Sequence, residues 1–179
     1  KLKIDEERER AFYEKGWDLL NSFGLSQYEI SNFARSESSR CFHNINTWKM
    51  YDWIGCGPSA ASQFNGHRYR NPSSIEKWLE GLKASDLNKE DLVVLSEDLL
   101  FTDSLIFGLR MNEGVDFNEL LNRFSSGRKI NTKPFLKLMN RFEAEGYLTK
   151  KDSRFILTRE GQLKCDGIGS ELLDLHTSD

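Results

Sequence analysis

The chain has 179 residues, room for one core or two small ones, and its 38% hydrophobic and 30% charged residues suit a soluble globular protein. A net charge of -3 gives no reason to expect nucleic acid or an acidic partner, and no apolar run is long enough to cross a bilayer. The three cysteines, Cys41, Cys56 and Cys165, are odd in number and widely spaced, which argues against a disulfide framework and against an iron–sulfur run and fits a reducing, cytoplasmic setting.

Asp5–Leu20 reads as a charged amphipathic helix rather than a secretory signal, with Ala11, Phe12, Trp17, Leu19 and Leu20 on its apolar side and Gly24 after its end. Leu25–Phe33 reads as one short strand, and helix, glycine, strand is the grammar of an α/β unit. Asn46–Tyr51 is expected to be a turn or short helix. Trp53 and Ile54 open another strand that stops at Gly55–Cys56–Gly57–Pro58. Gly66 divides Ala61–Phe64 from His67–Tyr69, a hairpin pattern. Asn71–Pro72–Ser73–Ser74 caps a helix over 74–84, with Ile75, Trp78 and Leu79 expected inward, and 86–90 reads as a linker.

From Asp91 the pattern becomes helical. Leu95, Leu99, Leu100 and Ile106 predict a long helix to about Met111, followed by helices over 116–124 and 133–145 and a polar loop at 125–129. Gly146 stops the third helix. Strands over 147–150 and 155–158 flank a turn at 151–153, and a last helix begins near Arg159. Helices, hairpin and helix together resemble a winged-helix arrangement. Residues 96–179 carry 12 Lys/Arg against 14 Asp/Glu, so this region is not expected to bind DNA.

Chemistry is concentrated in 28–71, where small, polar and aromatic residues mix without helical periodicity. His43 is the candidate metal ligand, since one imidazole nitrogen can coordinate iron or zinc while a neighbour orients the other. A structural or exposed histidine is the alternative. Asn44 and Trp48 follow it; Trp48 could cover a flat ring and Asn44 could hold a propionate or a backbone turn. Cys41 and His43 are too few for a closed zinc site. Gly55, Gly57 and Ala60 form a small-residue turn that either approaches a cofactor or serves only the fold; it is neither a dinucleotide nor a phosphate-loop motif. Glu29, Ser31 and Asn32 lie at the end of the expected strand, where α/β folds gather ligands. Strand alternation would put Glu29 and Ser31 on one face and Tyr28 and Ile30 on the other.

Taken together, Tyr28–Glu29–Ile30–Ser31–Asn32–Phe33–Ala34, His43–Asn44 with Trp48, Gly55–x–Gly57 with Ala60, Leu109–Arg110, Glu113–Gly114–Val115–Asp116, Gly146–Tyr147–Leu148 and Leu157–Thr158–x–x–Gly161 resemble the downstream half of the HemW and oxygen-independent coproporphyrinogen III oxidase-like family of radical S-adenosylmethionine proteins. The resemblance implies an α/β fold: the last units of a partial (β/α) barrel over 1–72, a connecting helix and linker over 73–90, and a mainly helical winged-helix-like domain over 91–179. It implies haem as a ligand, with S-adenosylmethionine and a [4Fe–4S] cluster in the complete protein, the cluster being held by an upstream three-cysteine motif absent from this chain. Such a chain is expected to lack catalytic competence alone.

Within the family, the HemW branch is thought to bind haem and pass it to acceptor proteins, and a haem-acceptor protein is the implied partner. Its HNxxYW mark matches here as His43–Asn44–Ile45–Asn46–Thr47–Trp48, with Thr47 in place of tyrosine. The alternative is an enzyme that oxidatively decarboxylates porphyrinogen propionates. By the same resemblance Gly55, Gly57 and Ala60 fall near S-adenosylmethionine, and Ser31 and Asn32 line the pocket.

Overall fold

The structure is a computed structural model and describes residues 5–86, 88–124 and 130–177. Helix α1 spans Glu6–Ser22, and Asp5 caps it by accepting the N–H of Arg8 at 3.1 Å. Only part of its expected apolar side is used: Trp17 is buried, whereas Phe12 and Leu19 are exposed. The single strand expected over 25–33 is instead two. Strand β1 (Ser26–Glu29) reverses at Ile30–Ser31 and returns antiparallel as β2 (Asn32–Ala34). The reversal follows from Glu29, whose Oε1 accepts the Ser31 N–H at 2.9 Å and an N–H of the Asn32 side chain.

Helix α2 covers Phe42–Trp48, starting earlier than the turn or short helix expected at 46–51. The strand expected at Trp53–Ile54 reduces to one bridge between Trp53 and Gln63. Strands β3 (Ala61–Phe64) and β4 (His67–Arg70) form the expected hairpin. Its two turn residues, Asn65 and Gly66, both have positive φ, the conformation that matches strand twist in a two-residue connection. Ser74 caps α3 (Ile75–Ala84), accepting the Lys77 N–H at 3.3 Å. Ile75 and Leu79 do not turn inward; they are 60% and 43% exposed, because α3 presents its half-buried Trp78 and its buried Gly81 to the protein instead. The expected linker runs into strand β5 (Glu90–Val94), which pairs antiparallel with β4 and places Val93 and Val94 opposite Arg68 and His67. The long helix therefore begins later, as α4 (Glu97–Gly108), capped by Ser96.

Beyond α4 come β6 (Val115–Asp116), α5 (Phe117–Phe124), α6 (Lys133–Ala144), β7 (Leu148–Lys151), β8 (Arg154–Leu157), α7 (Arg159–Leu163) and α8 (Cys165–Thr177). The loop expected at 125–129 lies outside the described residues. The expected hairpin gains β6 as a third strand, in the order β6-β8-β7, and the expected last helix is split into two. The main core gathers here: Phe101 meets Phe117 and Phe135 edge-on, and Leu105, Met139, Phe142, Leu148, Phe155 and Leu172 close around them. Each such fully buried side chain stabilises the fold by about 1.5–3 kcal/mol relative to exposure.

The chain is thus mixed α/β. Its three sheets are antiparallel, and none is closed among the described residues. The N-terminal elements are tied to the helical part by backbone bonds: Ile30 N–H to Arg110 C=O at 3.1 Å and Asn112 N–H to Tyr28 C=O at 3.1 Å. Arg123 adds donors to the carbonyls of Lys49 and Met50 at 2.6 and 2.8 Å. No helix among the described residues is long and apolar enough to cross a membrane.

Candidate functional site

Glu29 is completely buried at the end of β1, and the reversal after it decides its surroundings. One carboxylate oxygen is committed to the turn. The other faces the Arg110 guanidinium at 3.8 Å. Arg110 also reaches Asp166 at the start of α8, at 3.6 Å, and lies over the Trp48 ring at 4.7 Å. Trp48 stacks on Phe107 of α4 with ring centres 5.7 Å apart. One guanidinium thus joins the β1–β2 hairpin, the end of α2, and α8. The turn donors satisfy Glu29 Oε1, whereas Glu29 Oε2 and Arg110 Nε are buried with no hydrogen-bond partner and face each other through charge alone.

The expected strand alternation fails for the same reason. Tyr28 and Glu29 are both buried, while Ser31 is exposed on the turn. Asn32 is half-buried and bonded to Glu29. Tyr28 accepts the Cys41 N–H on its hydroxyl at 3.1 Å and carries Arg40 over its ring, which fixes the entry to α2.

On α2, His43 is exposed, and among the described residues its imidazole has no hydrogen bond. Asn44 is half-buried. Thr47, which stands where the resemblance expects tyrosine, donates its hydroxyl to the His43 carbonyl at 3.0 Å, so that hydroxyl serves the helix. Trp48 lies at the other end of α2, held by Phe107 and Arg110. An exposed imidazole is a side chain that could ligate a haem iron. The Trp48 ring packs on Phe107 and Arg110, while its buried Nε1 has no hydrogen-bond partner.

Gly55, Gly57 and Ala60 form a turn whose carbonyls are taken up locally. Asn71 donates its side-chain N–H groups to Gly55 and Gly57 at 3.1 and 2.9 Å, and its backbone N–H to Ala60 at 3.0 Å. A Cβ on Gly55 would come within 2.3 Å of the Ala61 carbonyl, and Gly57 has a φ of +103°. The fold itself therefore accounts for both glycines. Asn71, read from sequence only as part of a helix cap, is the residue that locks the turn; its partners lie 14 and 16 residues away, beyond any local pattern.

The thiols do not assemble. Cys41 and Cys56 are exposed, and burial pushes the Cys165 thiol up to about 11, so it is held protonated. Among the described residues no group of three or more His, Cys, Asp or Glu is arranged for a metal ion. A [4Fe–4S] cluster has no fitting ligand set here. A half-open cleft of about 750 Å³ lies between α1, the Ile30–Ser31 turn and the α7–α8 junction, with Ser31, Arg110 and Cys165 among its walls. Of the residues singled out in the sequence, this cleft receives Ser31 but not His43, Asn44, Trp48 or the glycine turn. The expected site is thus divided among three places. Sequence reasoning also gave no role to Arg110, which joins two of them.

Residues 95–163 match the family model for the HemN C-terminal domain. A Danio rerio protein, radical S-adenosyl methionine domain-containing protein 1, mitochondrial, is 28% identical over 172 residues, covering 90% of this chain and 36% of that protein. Heme chaperone HemW of Synechocystis sp. is 34% identical over 118 residues, covering 64% of this chain and 28% of the relative. Among solved structures, coproporphyrinogen III oxidase (HemN) from Escherichia coli, described as a radical SAM enzyme, superposes with a TM-score of 0.67 at 15% identity, over 89% of this chain and 39% of that one. This chain spans about two fifths or less of the length of these proteins.

Proposed function

We propose, for a chain that belongs to the HemW/HemN-like radical-SAM family and matches the C-terminal portion of its members, a role in handling a tetrapyrrole. The observation that carries this reading is the exposed His43 imidazole on a helix whose far end is fixed by Trp48 against Phe107 and Arg110. A ligand-bearing side chain is most useful when its own helix cannot shift. Residues 1–72 are read as the last units of a partial barrel, 73–90 as the connection, and 91–179 as a winged-helix-like domain. The run of α4, α5 and α6 followed by the β7–β8 hairpin supports the last assignment.

Two finer readings share this role. The fold likeness to HemN favours an oxygen-independent coproporphyrinogen III oxidase-like protein, in which a porphyrinogen is the substrate. In that family the cluster and S-adenosylmethionine supply the radical chemistry; no residue of this chain is assigned a catalytic step. Ser31 and Asn32 would line the substrate side, and Gly55, Gly57 and Ala60 the cofactor side. The exposure of His43 and the names of the HemW relatives favour the second reading, a haem chaperone that passes its cargo to an acceptor protein.

Haemin and metal-free coproporphyrin III, titrated separately into the chain and followed by the Soret band, separate the two. The chaperone reading expects saturable one-to-one binding of haemin and weaker binding of the metal-free ring, which offers no iron to an imidazole. The enzyme-like reading expects coproporphyrin III to bind at least as well as haemin. Failure of both to saturate removes the tetrapyrrole role from this chain.

A further inference from the structure

Helix α6 carries a groove on its surface, shared with the end of α8. Its volume is about 600 Å³, and it is walled by Lys133, Pro134, Lys137, Leu138, Arg141 and Leu175, the last from α8. Pro134, Leu138 and Leu175 form an apolar floor. Leu138 and Leu175 are only partly buried and rest on the main core from outside. The three cations recur every fourth residue, so they stand in a row with about 6 Å between neighbours along the helix axis. Arg141, at one end, is already paired with Glu171 and, at 3.5 Å, with Glu145. Lys133 and Lys137 are exposed, and neither forms an ion pair among the described residues.

We propose that this groove docks an acidic amphipathic helix of a protein partner. Independently of any tetrapyrrole, the surface offers what such a helix needs: an apolar seat for one or two Leu-, Ile- or Met-sized side chains, and flanking ammonium groups for carboxylates one turn apart. Charge complementarity selects this occupant. A basic helix is repelled by Lys133 and Lys137. A DNA duplex would find two uncommitted cations on a region of residues 96–179 with 12 basic and 14 acidic side chains, too few to neutralise several phosphates.

The test is selection of a phage-displayed helical peptide library on the folded chain, with the double variant Lys133→Glu/Lys137→Glu as counter-target. Both lysines are exposed, so the variant should fold, and circular dichroism checks that it does. The neutral pair Lys133→Gln/Lys137→Gln serves as a milder second probe. Peptides with Asp or Glu at i and i+4 beside Leu, Ile or Met are expected. Their binding should fall about tenfold or more on the charge-reversed variant, less on the neutral one, and in about 0.5 M salt. The proposal is overturned if nothing is enriched, if the enriched peptides are basic, or if they bind both proteins equally. A labelled duplex of about 20 base pairs that binds the chain and is lost on the same variant would assign the groove to nucleic acid and overturn it equally.

Discussion

Glu29 is a carboxylate with no exposure to water, and its two oxygens do different work: one shapes a turn and the other faces Arg110. Replacing it by alanine leaves the Arg110 charge beside Trp48 without its buried counter-charge and releases the turn at Ser31. We expect Glu29→Ala to cost about 3 kcal/mol in urea unfolding, and Glu29→Gln less, because the amide oxygen can still accept the Ser31 N–H. Equal, negligible losses would mean that the node contributes nothing to stability. The cysteines give a second test at this scale. With Cys41 and Cys56 exposed and Cys165 buried with its thiol pushed up to about 11, two thiols should react promptly with an aromatic disulfide reagent at about pH 8. The third should react only on unfolding, and three fast thiols would contradict the packing of α8.

Among the elements, α5 shows how a short helix is anchored. Asp116 Oδ1 accepts the N–H groups of Asn118 and Glu119 at 3.0 and 3.1 Å, and Ser153 donates its hydroxyl to the same carboxylate. The Glu119 N–H first, and the Ser153 hydroxyl next, hold the Asp116 carboxyl below its usual range. A depressed folded-state value means that its stabilisation is present above the ordinary carboxylate range, about pH 4, and is lost as pH falls through the folded value. Asp116→Asn should therefore be less stable than the parent at pH 7, with the difference narrowing as denaturation is repeated at progressively lower pH below about 4. A constant difference across that range would rule out the charge as the source.

Local signals gave the cap at Ser74, the helix start near Arg159, the turn at Gly66 and the Gly146 stop, because each depends on residues within one turn of chain. They did not give β5 or β6. Strand β5 is specified by a partner some twenty residues earlier, and β6 is only two residues long and exists through β8. The split of the first strand follows from Glu29 bonding to Ser31 and Asn32, while the burial of Glu29 brings its other oxygen to Arg110, 81 residues further on.

Across the whole molecule, the hairpin, α2 and the helical part form one frame, joined through Arg110, Arg123 and the backbone bonds of Ile30 and Asn112. The sequence singled out 28–71 as a region of mixed small, polar and aromatic residues. It could not sort those residues by depth. His43 faces solvent, Trp48 is held by Phe107 and Arg110, and the glycine turn is closed by Asn71, and these differences come from partners distant in the chain. The family resemblance supplied the order of the motifs; the physical roles of Arg110 and Asn71 appeared only when the chain was folded.

The most direct test of the tetrapyrrole role is a haemin titration of the parent chain and of His43→Ala, followed by the Soret band and stoichiometry. The exposed site of the substitution leaves the Glu29–Arg110 node intact, so both proteins should show the same circular dichroism. The account predicts saturable one-to-one binding by the parent, with the Soret shift of an imidazole-ligated ferric haem, and its loss in the variant. Equal binding by both proteins, or multisite binding that never saturates, would contradict it.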